Sequence, residues 1–249
     1  MKLLTVSYWA LIAIAAILLL EGVRIGGYLF IARRPVQKFE RHNPATAMRI
    51  LFIGDSTGCG SGTSDACYSL VGRIGSDLSS AHIENASRGG MMLSGARRIL
   101  KDKIRTANGS AYELVIIMIG GMDVVYGTPI WLARRILRGV VAYGKQCGRT
   151  VVLIGPNNPG LAPLFRFPLS RFYRRRAEAL DVLYREIAER EKILYVSLFR
   201  KDSDVLSAGN LYSLDKTHPN DEGYGLWYDQ VKETILMALE NHDRNIARQ

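Results

Sequence analysis

Five short apolar runs, each followed by a longer segment of helical period, constrain this chain more than any other feature. Arg49–Gly54, Ile83–Ala86, Leu114–Gly120, Val151–Gly155 and Ile193–Leu198 read as strands. Cys67–Ser79, Ser94–Thr106, Pro129–Cys147, Leu169–Lys192 and Asn220–Glu240 carry apolar residues three and four apart and read as helices. Strand and helix in strict alternation demand a parallel sheet, because each parallel pair needs a crossover and a helix supplies it. Runs such as LVIIMIG and VVLIG show no polar alternation, which fits strands covered by helices on both faces. The expectation is an α/β fold: a three-layer α/β/α sandwich around a five-stranded parallel sheet in the order 2-1-3-4-5. Ligands of such sheets bind outside the carboxyl ends of the strands. The places to search are therefore the loops GDSTGCGSG, ASRGGMM and GGMDVV after the first three strands.

The chain has 249 residues, 48% of them apolar and 22% charged, a balance that excludes a disordered or low-complexity protein. Domain boundaries follow from composition. Residues 3–20 read LLTVSYWALIAIAAILLL, eighteen residues without a charge, enough at helical rise to approach the hydrocarbon thickness of a bilayer. A cleaved signal peptide would have a shorter apolar core and a small-x-small site just beyond, whereas Glu21-Gly22-Val23-Arg24 follows here. The expected organisation is an N-terminal transmembrane helix and interfacial segment over 1–32, a polar linker over 33–47, and a main domain over 48–249. This makes the chain a single-pass membrane protein with the lipid bilayer as a partner through residues 3–20. Arg24, Arg33, Arg34, Lys38 and Arg41 lean toward a cytoplasmic main domain, but one span flanked by a snorkelling Arg24 leaves the side open.

The formal charge is +10, and between Ile130 and Arg190 twelve cations face only four carboxylates. No zinc finger or aromatic RNA-binding motif accompanies them, so nucleic acid is not the expected partner; a surface facing phospholipid head groups fits better. Three cysteines, Cys59, Cys67 and Cys147, form no C-x-x-C pair; Cys59 and Cys67 could pair were the domain to face an oxidising space, and free thiols are the preferred reading. Gly58, Gly60 and Gly62 lack the spacing of a dinucleotide loop and the Lys-Ser/Thr of a phosphate loop. Asp55 and Asp123 belong to no cluster of His and Cys and read as helix caps rather than metal ligands. No cofactor is expected.

Ser56 stands directly after the first strand, with Gly54 easing the turn and Gly58 and Gly60 leaving space around its hydroxyl. A serine nucleophile needs a base, normally a histidine oriented by a carboxylate. Of the four histidines, His42 lies in the linker, His82 precedes a strand and His242 lies in the tail. His218 stands at the entrance of the last helix, with Pro219 biasing its backbone and Asp215 three residues earlier. From Phe199 to Asp215 there are enough residues to cross several strand spacings, so His218 can reach Ser56.

Over roughly Arg49 to Glu240 the chain resembles the SGNH hydrolases, the GDSL esterase/lipase family. Gly54-Asp55-Ser56 resembles the nucleophile motif, with Thr57 in place of the common Leu. Asn85-Ala86-Ser87-Arg88-Gly89-Gly90 is similar to the second motif, Gly120-Gly121-Met122-Asp123 to the third, and Asp215 with His218 to the terminal D-x-x-H. The resemblance implies Ser56 as nucleophile, His218 as general base and acid, Asp215 as orienting carboxylate, and the amides of Ser56 and Gly90 as oxyanion donors. It implies a serine hydrolase acting on carboxylic esters, and the uncharged run at 3–20 with the basic 130–190 region points to a substrate at the bilayer or envelope, of the lipid-ester or acylated-glycan class. One position departs: the family's third motif has an asparagine that donates to the oxyanion, and Met122 has no N–H to give. The amides of Ser56 and Gly90 could still form a two-donor hole, and two sharper readings follow. Either Asn157 or Asn158, after the fourth strand, supplies the missing donor, or the chain is a catalytically weak or silent member kept as a membrane binding or scaffold module.

Overall fold

The computed structural model describes residues 37–46, 48–106, 112–200 and 210–240, the backbone of 241–246, and positions 9, 12, 16, 19–28, 30 and 31. The sheet comprises β1 (Arg49–Gly54), β2 (His82–Asn85), β3 (Tyr112–Met118), β4 (Gly148–Ile154) and β5 (Leu194–Val196). Its order is β2-β1-β3-β4-β5 and every pairing is parallel. This is the flavodoxin-like order expected from the alternating pattern. The principal helices are α1 (Leu70–Asp77), α2 (Leu93–Thr106), α3 (Gly121–Val125), α4 (Ile130–Cys147), α5 (Leu169–Glu191) and α6 (Asp221–Ile246).

Because side chains alternate along a strand, successive residues of the buried runs enter two different cores. Ile50, Phe52, Leu114, Ile116, Val152 and Ile154 pack with α1 and α6, where Val71, Ile74, Trp227 and Val231 are buried. Leu51, Ile53, Val115, Ile117, Val151 and Leu153 pack with α2, α4 and α5 on the opposite face, among Leu100, Leu137 and Leu183. The sandwich therefore has three layers.

Differences from the expected elements lie at their ends. Tyr112 and Gly148 already pair with each other at the amino ends of β3 and β4, earlier than the apolar runs suggest. The short α3 has no counterpart in the expected elements. Its entry turn needs Gly120, whose φ is +118° and where a Cβ would sit 2.5 Å from the Tyr184 hydroxyl oxygen.

Residues 37–46, expected as part of a polar linker, lie against the domain. Arg41 bridges Ile83 in antiparallel fashion at the β2 edge, and its guanidinium donates to the carbonyls of Gly75 and Leu78. Phe39 covers Gly75, the small residue that leaves room for its ring. These ten residues are thus an edge cover of the sheet rather than a free spacer. The expected span over 3–20 lies largely outside the described residues. Among the described residues no helix is long and apolar enough to cross a membrane.

Candidate active site

The turn after β1 is held from inside by Asp55. Its Oδ1 accepts from the Thr57 amide at 3.0 Å and from the Thr57 hydroxyl at 2.7 Å. Burial pushes the Asp55 carboxyl up, with the Thr57 bonds and the nearby His218 opposing that rise. Asn85, buried at the end of β2, donates its amide to the Gly58 carbonyl at 2.9 Å, and the Tyr224 hydroxyl on α6 donates to the Ser61 carbonyl at 2.8 Å. Ser56 is thus presented by a loop pinned to β2 and α6. The sequence reading assigned Asn85 only to a motif and did not find the Tyr224 contact. A buried tyrosine near a helix start carries no local signal of its hydrogen-bond partner.

His218 sits on an equally constrained loop. Tyr212 bridges Pro219, the Ser213 amide donates to the His218 carbonyl at 2.8 Å, and Asn220 returns to Leu211. Asp215 Oδ1 accepts from the Ser213 hydroxyl and from the amides of Thr217 and His218, all between 2.8 and 2.9 Å. Its Oδ2 stands 2.6 Å from His218 Nδ1. Burial pushes the Asp215 carboxyl up, yet the bonds and charge of His218 and the amides of His218 and Thr217 outweigh it and hold the group well below the usual carboxylate range. With Asp215 ionised, the tautomer that fits is the one whose Nδ1–H donates to Asp215, and its Nε2 lone pair then faces Ser56 as an acceptor.

That nitrogen lies 2.7 Å from Ser56 Oγ, although the two residues are 162 positions apart. Gly62 makes the approach of the two loops feasible: its φ is +97°, and a Cβ there would strike the Pro219 carbonyl oxygen. Ser56, His218 and Asp215, the three residues singled out from the sequence, therefore form one continuous hydrogen-bonded line at the carboxyl end of the sheet.

A family profile, the GDSL-like lipase/acylhydrolase family, matches residues 52–226. The chain belongs to this family of SGNH hydrolases. Solved structures agree in fold. A lipolytic G-D-S-L family member from Veillonella parvula superposes with a TM-score of 0.61 at 18% identity, covering 75% of this chain and 97% of that one. A structure described as TesA gives 0.61 at 22% identity, over 77% and 99% of the two chains. The psychrotrophic esterase EstA from a Pseudoalteromonas species, inhibited by monoethylphosphonate, gives 0.59 at 20% identity, over 77% and 98%. No curated protein matches the chain by sequence.

Within this SGNH fold the two asparagines after β4 part ways. Asn158 is buried and bonded within the fold: its side-chain amide donates to the Arg200 carbonyl at 2.9 Å and its oxygen accepts from the Gly160 amide at 3.1 Å. It caps a short 3-10 turn and does not line the cavity that holds Ser56. Asn157 instead lines a compact cavity of about 70 Å³ together with Ser56, Met122, Val125, Pro156, Phe165 and His218. Met122 faces that cavity from α3, so the third-motif substitution borders the site. Gly90 is not part of that lining. It follows β2 with φ +72° and open space where a Cβ would point, on a loop tied to the end of β1 by the Arg88 amide to the Gly54 carbonyl at 3.1 Å.

Asp123 caps as the sequence suggested, but not the helix that follows it. Its Oδ2 accepts from the Leu93 amide, the first residue of α2, and its Oδ1 from the Thr128 hydroxyl, both at 2.9 Å. Among the described residues no group of His, Cys, Asp and Glu is arranged to hold a metal ion. Cys59, Cys67 and Cys147 are free thiols.

Proposed function

We propose that this chain is a serine hydrolase that cleaves carboxylic esters through an acyl-enzyme on Ser56. The observation that carries the reading is the unbroken line from Ser56 Oγ to His218 Nε2 at 2.7 Å and from His218 Nδ1 to Asp215 at 2.6 Å. In the proposed cycle His218 takes the Ser56 proton as Oγ attacks the ester carbonyl carbon. The amides of Ser56 and Gly90 hold the resulting oxyanion, and the Asn157 side-chain amide takes the place of the asparagine that Met122 replaces. The tetrahedral species collapses, the ester C–O bond breaks, and His218 delivers its proton to the departing alcohol. Water then loses a proton to His218 and attacks the acyl carbon, and Ser56 leaves with that proton restored, releasing a carboxylic acid.

The small apolar cavity beside Ser56, walled by Met122, Val125, Pro156 and Phe165, favours a short acyl group over a long chain. The uncharged run at 3–20 supports membrane anchorage, and with it an alcohol portion carried by a lipid or an acylated glycan at the bilayer.

One observation favours a second reading, a hydrolytically silent binding module: the sulfur-bearing Met122 lines the cavity where the family has a donor. A fluorophosphonate probe separates the two. Labelling of the full chain that disappears in Ser56→Ala and in His218→Ala supports the hydrolase. Folded wild-type protein that takes up no probe supports the silent module.

A further inference from the structure

The segment between β4 and α5 turns outward from the cavity wall to solvent over a few residues. Phe165 lines the cavity, its ring meets Tyr173 edge-on at 4.7 Å, and Tyr173 meets Phe172 at 5.5 Å. Phe172 is half exposed and Phe167 is 78% exposed, with Leu169 exposed between them. Two exposed aromatic rings and a leucine close in sequence, linked through Tyr173 to the cavity-lining Phe165, form an apolar surface of the kind that marks a partner. Cations are set among them: Arg166, Arg171 and Arg175 are all exposed, and the last two lie one turn apart on α5 on either side of Phe172. An aromatic patch ringed by arginines matches the boundary between acyl chains and anionic head groups, where aromatics sit at the interface and arginines reach the phosphates.

The amino-terminal helical stretch meets the same place. Residues 19–28 are helical, Ile25 and Tyr28 pack on the domain core, and the Arg24 guanidinium donates to the Leu164 carbonyl at 2.6 Å while paired with Glu21. Glu21 also faces Arg166 at 3.9 Å. The uncharged run at 3–20 therefore leads directly into a helix docked beside the aromatic rim.

We propose that the rim formed by Phe167, Leu169 and Phe172 inserts into the head-group region of an anionic phospholipid leaflet, so that the mouth of the site opens onto the membrane surface. The inference rests on the membrane association proposed above and not on turnover. It assigns the end of the β4–α5 connection and the first turn of α5 to lipid, and Arg166, Arg171 and Arg175 to lipid phosphates.

The test places an environment-sensitive fluorophore at Phe172→Cys or, as a control, at Val182→Cys in a Cys67→Ser background, since Cys59 and Cys147 are buried. Val182 is 59% exposed on the same helix, about 15 Å farther from the rim at helical rise. The full chain is reconstituted in phosphatidylcholine vesicles with and without phosphatidylglycerol, and lipids with a shallow nitroxide serve as quenchers. Expected are a blue shift and quenching at position 172, strengthened by phosphatidylglycerol, and neither at position 182. Arg171→Gln with Arg175→Gln should reduce insertion on the order of tenfold. Equal signals at the two positions overturn the proposal, as does a signal at 172 indifferent to the anionic lipid. A signal that follows protein density rather than lipid charge assigns the face to a second copy of the chain and also overturns it. Carbonate extraction, run in parallel, reads anchorage by itself. Carbonate-resistant protein without a rim signal defeats this inference alone, while fluorophosphonate labelling reports separately on the hydrolase.

Discussion

The amide of Leu164 donates to the carbonyl of Lys216 at 3.0 Å, tying the segment after β4 to the loop that carries His218. The Leu164 carbonyl in turn accepts from Arg24. One residue thus connects the amino-terminal helix, the cavity wall and the turn bearing the base. Arg24→Ala removes a charged donor from that junction, and breaking such a bond costs about 1.5–3 kcal/mol. The expected outcome is a lower denaturation midpoint and looser His218 positioning, read as a drop in the rate of fluorophosphonate labelling with the Ser56 adduct retained.

Asn157 and Asn158 are adjacent and are expected to fail differently. Asn157→Ala should lower kcat by about 10²-fold with little change in KM, the usual signature of a lost oxyanion donor. Asn158→Ala removes two internal hydrogen bonds and should lower thermal stability. Steady-state kinetics and calorimetry on the two variants check both statements, and full turnover by Asn157→Ala would exclude the compensating donor.

Met122→Asn restores a side-chain N–H at the third motif. If the amides of Ser56 and Gly90 carry the oxyanion with only partial help, this substitution should raise kcat toward short aryl esters by about 10-fold or more. A series from acetate to octanoate, run on the same protein, should show turnover falling as the acyl chain outgrows the cavity walled by Val125 and Phe165.

Asp215 governs the acid limb of stability. Its carboxyl is held below its ordinary range in the fold, so the native state binds fewer protons than the unfolded chain in the acid range. The stabilisation is fully present above the unfolded carboxylate value of about 4 and is lost as pH falls through the lower folded value. Denaturation midpoints of the wild type should therefore decline as pH drops below about 4, and Asp215→Asn should flatten that part of the decline. The same variant should reduce kcat by about 10⁴-fold at neutral pH, the scale reached when an orienting carboxylate becomes an amide.

Tyr224→Phe tests how the nucleophile loop is held. The hydroxyl is buried and bonded to the Ser61 carbonyl, so its removal leaves an acceptor without that donor at a cost of about 1–3 kcal/mol. Chemical denaturation reads the cost, and a parallel loss in kcat would show that the Ser56 turn depends on α6 for its geometry.

Much of this molecule is written in local pattern. The unbroken apolar runs from Leu114 and Val151 announce strands covered on both faces, and their alternation with helical segments determines a parallel, doubly wound sheet, because backbone periods of 2 and 3.6 are properties of neighbouring residues. Ser56, His218 and Asp215 were legible for a similar reason: a strand-end turn and a helix entrance are local events with recognisable residues. The sequence pattern missed α3 and the packing of Phe39 over Gly75, since both depend on space left by distant side chains, Tyr184 in one case and the β2 edge in the other. Tertiary structure alone decided that Ser56 and His218 meet at 2.7 Å, that Asn157 faces the cavity while Asn158 turns to Arg200, and that Arg24 reaches Leu164. The direction of a loop side chain is set by hydrogen bonds to segments far away in the chain, and no window of neighbouring residues contains that information.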